Sequence, residues 1–249
     1  MVKQSPFSFT SEGLGSVLRH YRRTDSTTAR AKEWLEEGAA HGSVVLADFQ
    51  EAGRGRFGRR WESDSAQNLL ITIVIKKLLP RPTLLPLAAA MAVYDTVLKI
   101  ESTLDITLKW PNDVLIGGKK TAGILIESPS EGIYLLGIGI NVNQENFPDG
   151  LSTAPTSLLL ESGRRHDRAE VYSLLLARLE DWIPQMEAAD FIASYTERLS
   201  GVGSEVTVSG EATGLFVGVS EEGGLILETD SGRTVYFAGD VTLAAQSGD

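Results

Sequence analysis

The sequence predicts an α+β chain in two parts: residues 1–200, a larger mixed domain, and residues 201–249, a small all-β barrel. Three observations carry this. Before Gly201, β-branched and aliphatic runs follow one another in series, without regular alternation with helices. After it, short apolar segments are cut by Ser209-Gly210, Glu221-Glu-Gly-Gly224 and Asp230-Ser-Gly232, the texture of a compact barrel. The 249 residues, 42% of them hydrophobic, suffice to bury a core without disulfide or metal staples.

Each element has a local reason. Thr24-Asp-Ser-Thr-Thr28 supplies short oxygen side chains ahead of a helix over residues 29–37. Residues 43–49 and 69–75 read as strands, and Pro86 opens a helix from Leu87 to about Lys99, where proline in the first turn is tolerated. Four further strands are expected at 106–110, 113–116, 121–127 and 133–141. Asp167 caps a helix whose Val171, Leu174, Leu175, Leu179 and Trp182 share a face, and Phe191, Ile192, Tyr195 and Leu199 form another helical stripe. Residues 1–15 read as a loose leader without the apolar stretch of a signal peptide.

Composition narrows function. Zero cysteines remove disulfides, thiolate metal sites and cysteine nucleophiles, and suit a reducing, cytoplasmic compartment. The most apolar stretches, 84–93 and 133–142, are about half the ~20 residues of a membrane span. Net charge is −10, yet residues 53–60 hold four arginines and no acid. An acidic body with one cationic loop suits a small anionic ligand better than a DNA-binding face. Those arginines would repel one another, so without an anionic ligand the loop is expected to be mobile or held by solvent ions, and to close when a ligand supplies the counter-charge.

The motifs sharpen this. Gly53-Arg-Gly-Arg-Phe-Gly58 has the spacing of a dinucleotide fingerprint, but no helix follows it, so the context fails. There remains a glycine loop able to approach a ligand, with the planar, permanently charged forks of Arg54, Arg56 and Arg59 for carboxylate or phosphate. A solvated surface loop remains the alternative. Lys109-Trp-Pro-Asn-Asp113 is a rigid turn leaving a strand, able to bind ligand or to close on its own backbone. Residues 117–127 place Lys120 after two glycines, without P-loop spacing. Gly137-Ile-Gly139-Ile-Asn141 alternates small residues along a strand, marking close approach by a ligand or by another backbone. The three histidines are scattered, no serine elbow exists, and no carboxylate pair stands out.

Taken in order, Asp25-Ser-Thr27, Gln50-Glu-Ala-Gly-Arg-Gly-Arg-Phe-Gly-Arg59, Lys109-Trp-Pro-Asn-Asp113, Lys120-Thr-Ala-Gly-Ile-Leu-Ile-Glu127 and Gly137-Ile-Gly-Ile-Asn141 resemble the biotin protein ligases. The resemblance continues more weakly over residues 201–243. It implies a catalytic domain of the class II aminoacyl-tRNA-synthetase-like type with a C-terminal SH3-like barrel. It also implies activation of biotin by ATP and Mg²⁺ to biotinyl-5′-AMP, then transfer to a lysine of a biotin carboxyl carrier protein. By matching position, Ser26, Thr27, Gln50, Gly53 and Arg54 would meet biotin, with Trp61, Gly137 and Gly139 along the pocket and acyl chain. Arg56, Arg59 and Lys120 would serve catalysis and the phosphates, and Asn141 the adenine; no metal ligands are implied. Thr28 stands where relatives often have Asn, and Ala244 where some have an arginine. About fifteen residues precede the catalytic pattern, so a DNA-binding biotin sensor is not expected. Lipoate–protein ligase or octanoyltransferase is the alternative within the superfamily. The reading admits a homodimer and no membrane or specific DNA partner.

Overall fold

The first helix begins two residues earlier than the sequence predicts, because Ser26 caps it: its Oγ accepts from the Ala29 N–H at 3.1 Å, and α1 runs Thr27–Glu36. The structure, a computed structural model, describes Phe7 and residues 13–243. Most of the expected leader, and Ala244, lie outside the described residues. Phe7 and Leu14 are buried in the main core, so this part of the leader is anchored to the fold.

Seven strands form one sheet in the order β1-β2-β3-β7-β6-β5-β4. They are β1 (Leu18–Tyr21), β2 (Val44–Ala47), β3 (Leu69–Lys76), β4 (Ile106–Lys109), β5 (Asp113–Ile116), β6 (Lys119–Ser130) and β7 (Ile133–Ile140). Only β1 pairs parallel, with β2; the other neighbours are antiparallel. β1 was not predicted, since Leu18-Arg-His-Tyr21 is a half-exposed edge strand with too little apolar alternation to show.

Period-two alternation sorts the two faces. Val44, Ile71, Ile73, Leu136, Ile138 and Ile140 join the large core shared with α2 (Leu85–Ile100) and α4 (Arg168–Gln185). Val45, Val74 and Leu135 point the other way, onto Ala31 and Trp34 of α1. Helix α1 is short, so the face it starts to cover continues uncovered along β3, β7 and β6. Residues 82–100 form the one helical segment among the described residues long and apolar enough to cross a membrane. Here it is a core helix, packed between the sheet and α4.

Two helical stripes need correction. On α4 the buried set is Val171, Tyr172, Leu175, Leu176, Leu179 and Ile183; Leu174 and Trp182 are only half-buried. The second stripe ends early: α5 spans Phe191–Thr196, and Leu199 lies in an extended bridge to Leu108, whose N–H donates to Arg198 O at 2.8 Å. A short α3 (Leu158–Ser162), capped by Ser157, precedes α4.

The C-terminal sheet has the order β11-β10-β9-β8-β12, entirely antiparallel, formed by β8 (Glu205–Val208), β9 (Ala212–Val219), β10 (Leu225–Thr229), β11 (Gly232–Tyr236) and β12 (Val241–Leu243). Trp110, buried at the end of β4, donates its indole N–H to Gly223 O at 2.9 Å, joining the two sheets. Trp110→Phe keeps a smaller aromatic ring in place but removes the indole N–H and strands that carbonyl. It should cost ~1–3 kcal/mol, with Tm falling roughly 2–4 °C per kcal/mol. Differential scanning calorimetry checks this, and an unchanged Tm would show that the bond does not hold the two parts together.

Candidate active site

The uncovered part of the α1 face is the floor of a cavity of about 640 Å³. Register explains its shape: Thr72 lies opposite Gly137, Leu70 opposite Gly139, Gly123 opposite Gly139 and Leu125 opposite Gly137. Three glycines in this patch leave the strands bare. Trp61 uses that bareness: a Cβ on Gly139 would stand 2.7 Å from the indole Cε2, and one on Gly123 2.9 Å from Cζ3. The indole therefore lies flat on the glycine floor.

All twelve candidate residues except Gly53 line this cavity. Gly53 is buried behind it, its carbonyl accepting from the Trp61 backbone N–H at 3.0 Å, so it seats Trp61 and does not reach the cavity. One end of the cavity is neutral and hydrogen-bonding. The Thr72 hydroxyl donates to Thr27 Oγ1 at 2.8 Å, and Gln50 Oε1 accepts from Thr27 Oγ1 at 3.0 Å and from Thr27 N–H at 2.7 Å. Because both bonds fall on Oε1, the Gln50 amide NH₂ is left to donate. Ser26 Oγ already accepts from Ala29, so its hydroxyl hydrogen is likewise available. Asp25 accepts from Ser26 N–H at 2.7 Å and from Arg30 at 3.0 Å. Burial alone would raise its carboxyl, but these bonds hold it below the usual carboxylate range.

The other end is cationic. Lys120 reaches it because of a β-bulge. Val114 pairs with Ala122 but Leu115 pairs with Lys120, leaving Thr121 as the extra residue. Regular alternation from Gly123 would send Lys120 into the opposite face; the bulge returns it to the site. Its Nζ sits 2.6 Å from Asp113 Oδ1 and 5.7 Å from the centre of the Trp61 ring.

Arg56 donates to Asn112 Oδ1 at 3.1 Å and to Gly239 O at 3.4 Å, and Arg59 pairs with Asp240. Asn112 in turn donates to Ile124 O at 2.7 Å, so the turn closes on β6 and not on its own backbone. Arg54 approaches Glu127 at 4.0 Å and Arg60 donates to Glu51 O. The arginines thus meet counter-groups of the protein itself, where the sequence reading looked only to solvent ions or a ligand for them.

Lys109, Asp240 and Thr72 were missed as site residues, and Asp113 was left open between binding and closing the turn. Lys109 was legible: Ile106 and Leu108 are inward on β4, so alternation puts Lys109 on the site face, where it donates to Thr153 Oγ1 at 2.9 Å. Asp240 carried no signal, since only the packing of the second sheet brings it there. Burial lowers the pKa values of both Arg56 and Lys109, against the pull of Asp113 and Asp240. Cations lining the cavity outnumber carboxylates by two, on a chain of net charge −10. Desolvated cations in surplus favour an anionic ligand. Two polar atoms of cavity-lining residues are buried without partners, Trp61 Nε1 and Asn141 Oδ1.

Comparisons with known proteins agree with this geometry. Residues 20–144 match the Biotin/lipoate A/B protein ligase family, and residues 202–243 the Biotin protein ligase C terminal domain. The chain is similar to a biotin–[acetyl-CoA-carboxylase] ligase of Paracoccus denitrificans, 35% identical over 88% of this chain and 97% of that one. It is also similar to the bifunctional ligase/repressor BirA of Bacillus spizizenii, at 34% identity over 95% of this chain and 77% of that one. Among solved structures, a biotin protein ligase from Aquifex aeolicus in complex with biotin and ATP superposes with a TM-score of 0.81. That pair shares 32% identity and covers 92% of this chain and 99% of the other. A floor of bare strands, a hydrogen-bonding end and a cationic end, carried by a chain matched along most of its length, leave one conclusion: the chain belongs to the biotin protein ligase family.

Proposed function

We propose that the chain activates biotin with ATP to biotinyl-5′-AMP and transfers the biotinyl group to a lysine of a biotin carboxyl carrier protein. The observation that carries this is the cavity's polarity: neutral donors at one end, surplus cations at the other, a glycine floor under Trp61 between them.

The chemistry fits those ends. Biotin's ureido oxygen is an acceptor, and Ser26 Oγ–H and the Gln50 amide are the donors left over by the local hydrogen bonds; Thr27, itself held by Thr72, orients the Gln50 amide, and the Ala29 N–H holds Ser26 Oγ. The acyl chain, lacking polar groups, lies along Gly137 and Gly139 beneath Trp61. Its carboxylate then meets the α-phosphate at the cationic end. Two anions must approach there, and fixed positive charge from Arg56, Arg59 and Lys120 offsets their repulsion. A carboxylate oxygen bonds to phosphorus and pyrophosphate leaves; in the second step the acceptor amine attacks the acyl carbon and AMP leaves. No protein nucleophile is required. Arg54 also lines the cavity, and Asn141, with its unpaired Oδ1, would accept from the adenine amine.

Magnesium enters as part of the nucleotide substrate. Mg²⁺ is commonly held by one or two carboxylates plus phosphates and water. Asp113 offers a carboxylate beside the cations, and no described group of three or more His, Asp or Glu forms a separate metal site.

The division at about residue 200 and a cytoplasmic location belong to the same proposal. A lipoyl or octanoyl chain has nothing to accept from Ser26 and Gln50, which favours biotin over those substrates. The test is pyrophosphate release with ATP and Mg²⁺, expected with biotin and at background with lipoate or octanoate. Turnover with either of those acids and none with biotin would overturn the reading.

A further inference from the structure

Lys120 and Asn141, from adjacent parts of the cationic end, are both held by one segment, residues 154–156. The Lys120 N–H donates to Ala154 O at 2.8 Å, and the Thr156 N–H donates to Lys120 O at 2.8 Å, an isolated bridge outside the main sheet. Asn141 Nδ2 donates to Thr156 O at 2.9 Å, which leaves Asn141 Oδ1 as the buried, unpartnered acceptor of a cavity-lining residue. The segment also has an anchor of its own. The Thr156 hydroxyl donates to Glu161 Oε1 at 2.5 Å, and Lys119 Nζ reaches the same oxygen at 3.0 Å. Glu161 sits on α3, whose start is tied by Ser157 Oγ to Gln144 O at 2.6 Å.

We propose that Glu161 is a positioning residue of the adenylation step: through Thr156 it fixes the segment that sets the backbone of Lys120 and the side chain of Asn141. The inference rests on the ligase reading of the cavity. Glu161 does not line the cavity and touches neither proposed substrate.

The bulge explains why such an anchor is needed. Thr121 is the extra residue and has no partner on β5, so the sheet itself holds Lys120 less firmly than a regular ladder would. The second bridge, from 154–156, replaces part of that lost pairing. Its own stability depends on Thr156 keeping a charged acceptor, and a bond to an ionised carboxylate is stronger than a neutral one. Burial would raise the Glu161 carboxyl, but the Thr156 hydroxyl and Lys119 overcome this and hold it low, so it is ionised at neutral pH.

The test compares Glu161→Ala, Glu161→Gln and Thr156→Val with the unmodified protein. Steady-state kinetics with ATP and biotin, calorimetric biotin binding without nucleotide, and amide hydrogen exchange at Lys120 and Thr156 are measured for each. Glu161→Ala should lower kcat/KM for ATP roughly ten- to a hundredfold by misplacing reacting groups. Biotin binding without nucleotide should stay unchanged, because Ser26, Thr27 and Gln50 lie at the other end. Glu161→Gln retains an acceptor for Thr156 but neither its charge nor the ion pair to Lys119, and should recover only part of the loss. The Lys120 and Thr156 amides should exchange faster in Glu161→Ala and Thr156→Val, and combining the two changes should cost no more than one alone.

Unaltered ATP kinetics in both the alanine and the valine variants would overturn the proposal. So would an equal fall in biotin affinity, or unchanged exchange at the two amides. The exchange readout needs no turnover: a wild-type protein without biotin-dependent activity refutes the ligase reading, whereas unchanged protection in the variants refutes the role of Glu161.

Discussion

Lys120→Ala should slow adenylate formation about 10²–10³-fold in a single turnover, equivalent to ~2.7–4 kcal/mol of transition-state stabilisation. Its ammonium is turned into the cavity by the bulge, beside Asp113 and over Gly123, where charge accumulates as carboxylate and phosphate meet. Biotin binding without ATP, measured by calorimetry, should fall far less. A surface lysine on a turn would give little change in either measurement. Lys119 suggests itself as the control for loss of charge, but it pairs with Glu161 at 3.0 Å and is unsuitable. Lys99, exposed in the last turn of α2, is the better one. If Lys120→Ala and Lys99→Ala both behave as wild type, Lys120 has no part in the chemistry.

Gly139→Val should weaken biotin binding by a smaller factor and through a different cause. The new Cβ would stand 2.7 Å and 2.8 Å from two carbons of the Trp61 ring, closer than packed carbons approach. Overpacking of this kind costs ~1–3 kcal/mol, which converts to roughly a 5- to 150-fold loss of affinity if the indole leaves the floor. Gly139→Ala should show the same effect in milder form, and combining it with Trp61→Phe, a smaller ring, should restore part of it. Equal biotin affinity in Gly139→Val and wild type, by calorimetry, would mean that Trp61 does not cover the bound acyl chain.

These two residues mark how far the sequence is legible. Gly139 could be found from the chain alone, because period two sets Gly137, Gly139 and Asn141 on one face and Tyr134, Leu136, Ile138 and Ile140 on the other. Lys120 could be singled out by its motif, but not oriented. Strict alternation points it away from the site, and the bulge that corrects this depends on pairing with β5, a tertiary event. Lys109 was within reach of the same alternation and was passed over because its motif was read as a turn. Asp240 was out of reach, since it arrives from a second sheet some 180 residues further along the chain than Arg59. The arginine loop was misjudged for the same reason. Its repulsions are local and visible, whereas Asp240, Asn112 and Glu127, which offset them, are distant in sequence. The helices fared likewise: the cap at Asp167 was readable and the capping run before α1 was seen, though Ser26 was not singled out within it, and which face of α4 is buried depends on α2 and the sheet.

That one cavity joins a carboxylic acid recognised by neutral donors to a nucleotide held by surplus cations can be read out by mass spectrometry. The protein is incubated with biotin, ATP and Mg²⁺, and the small molecule it retains is identified. Biotinyl-5′-AMP is the expected product, formed only when all three are present and depleted in Lys120→Ala. Recovery of unreacted biotin and ATP from the wild-type protein, or of an acyl-adenylate from lipoate or octanoate but not from biotin, would contradict it.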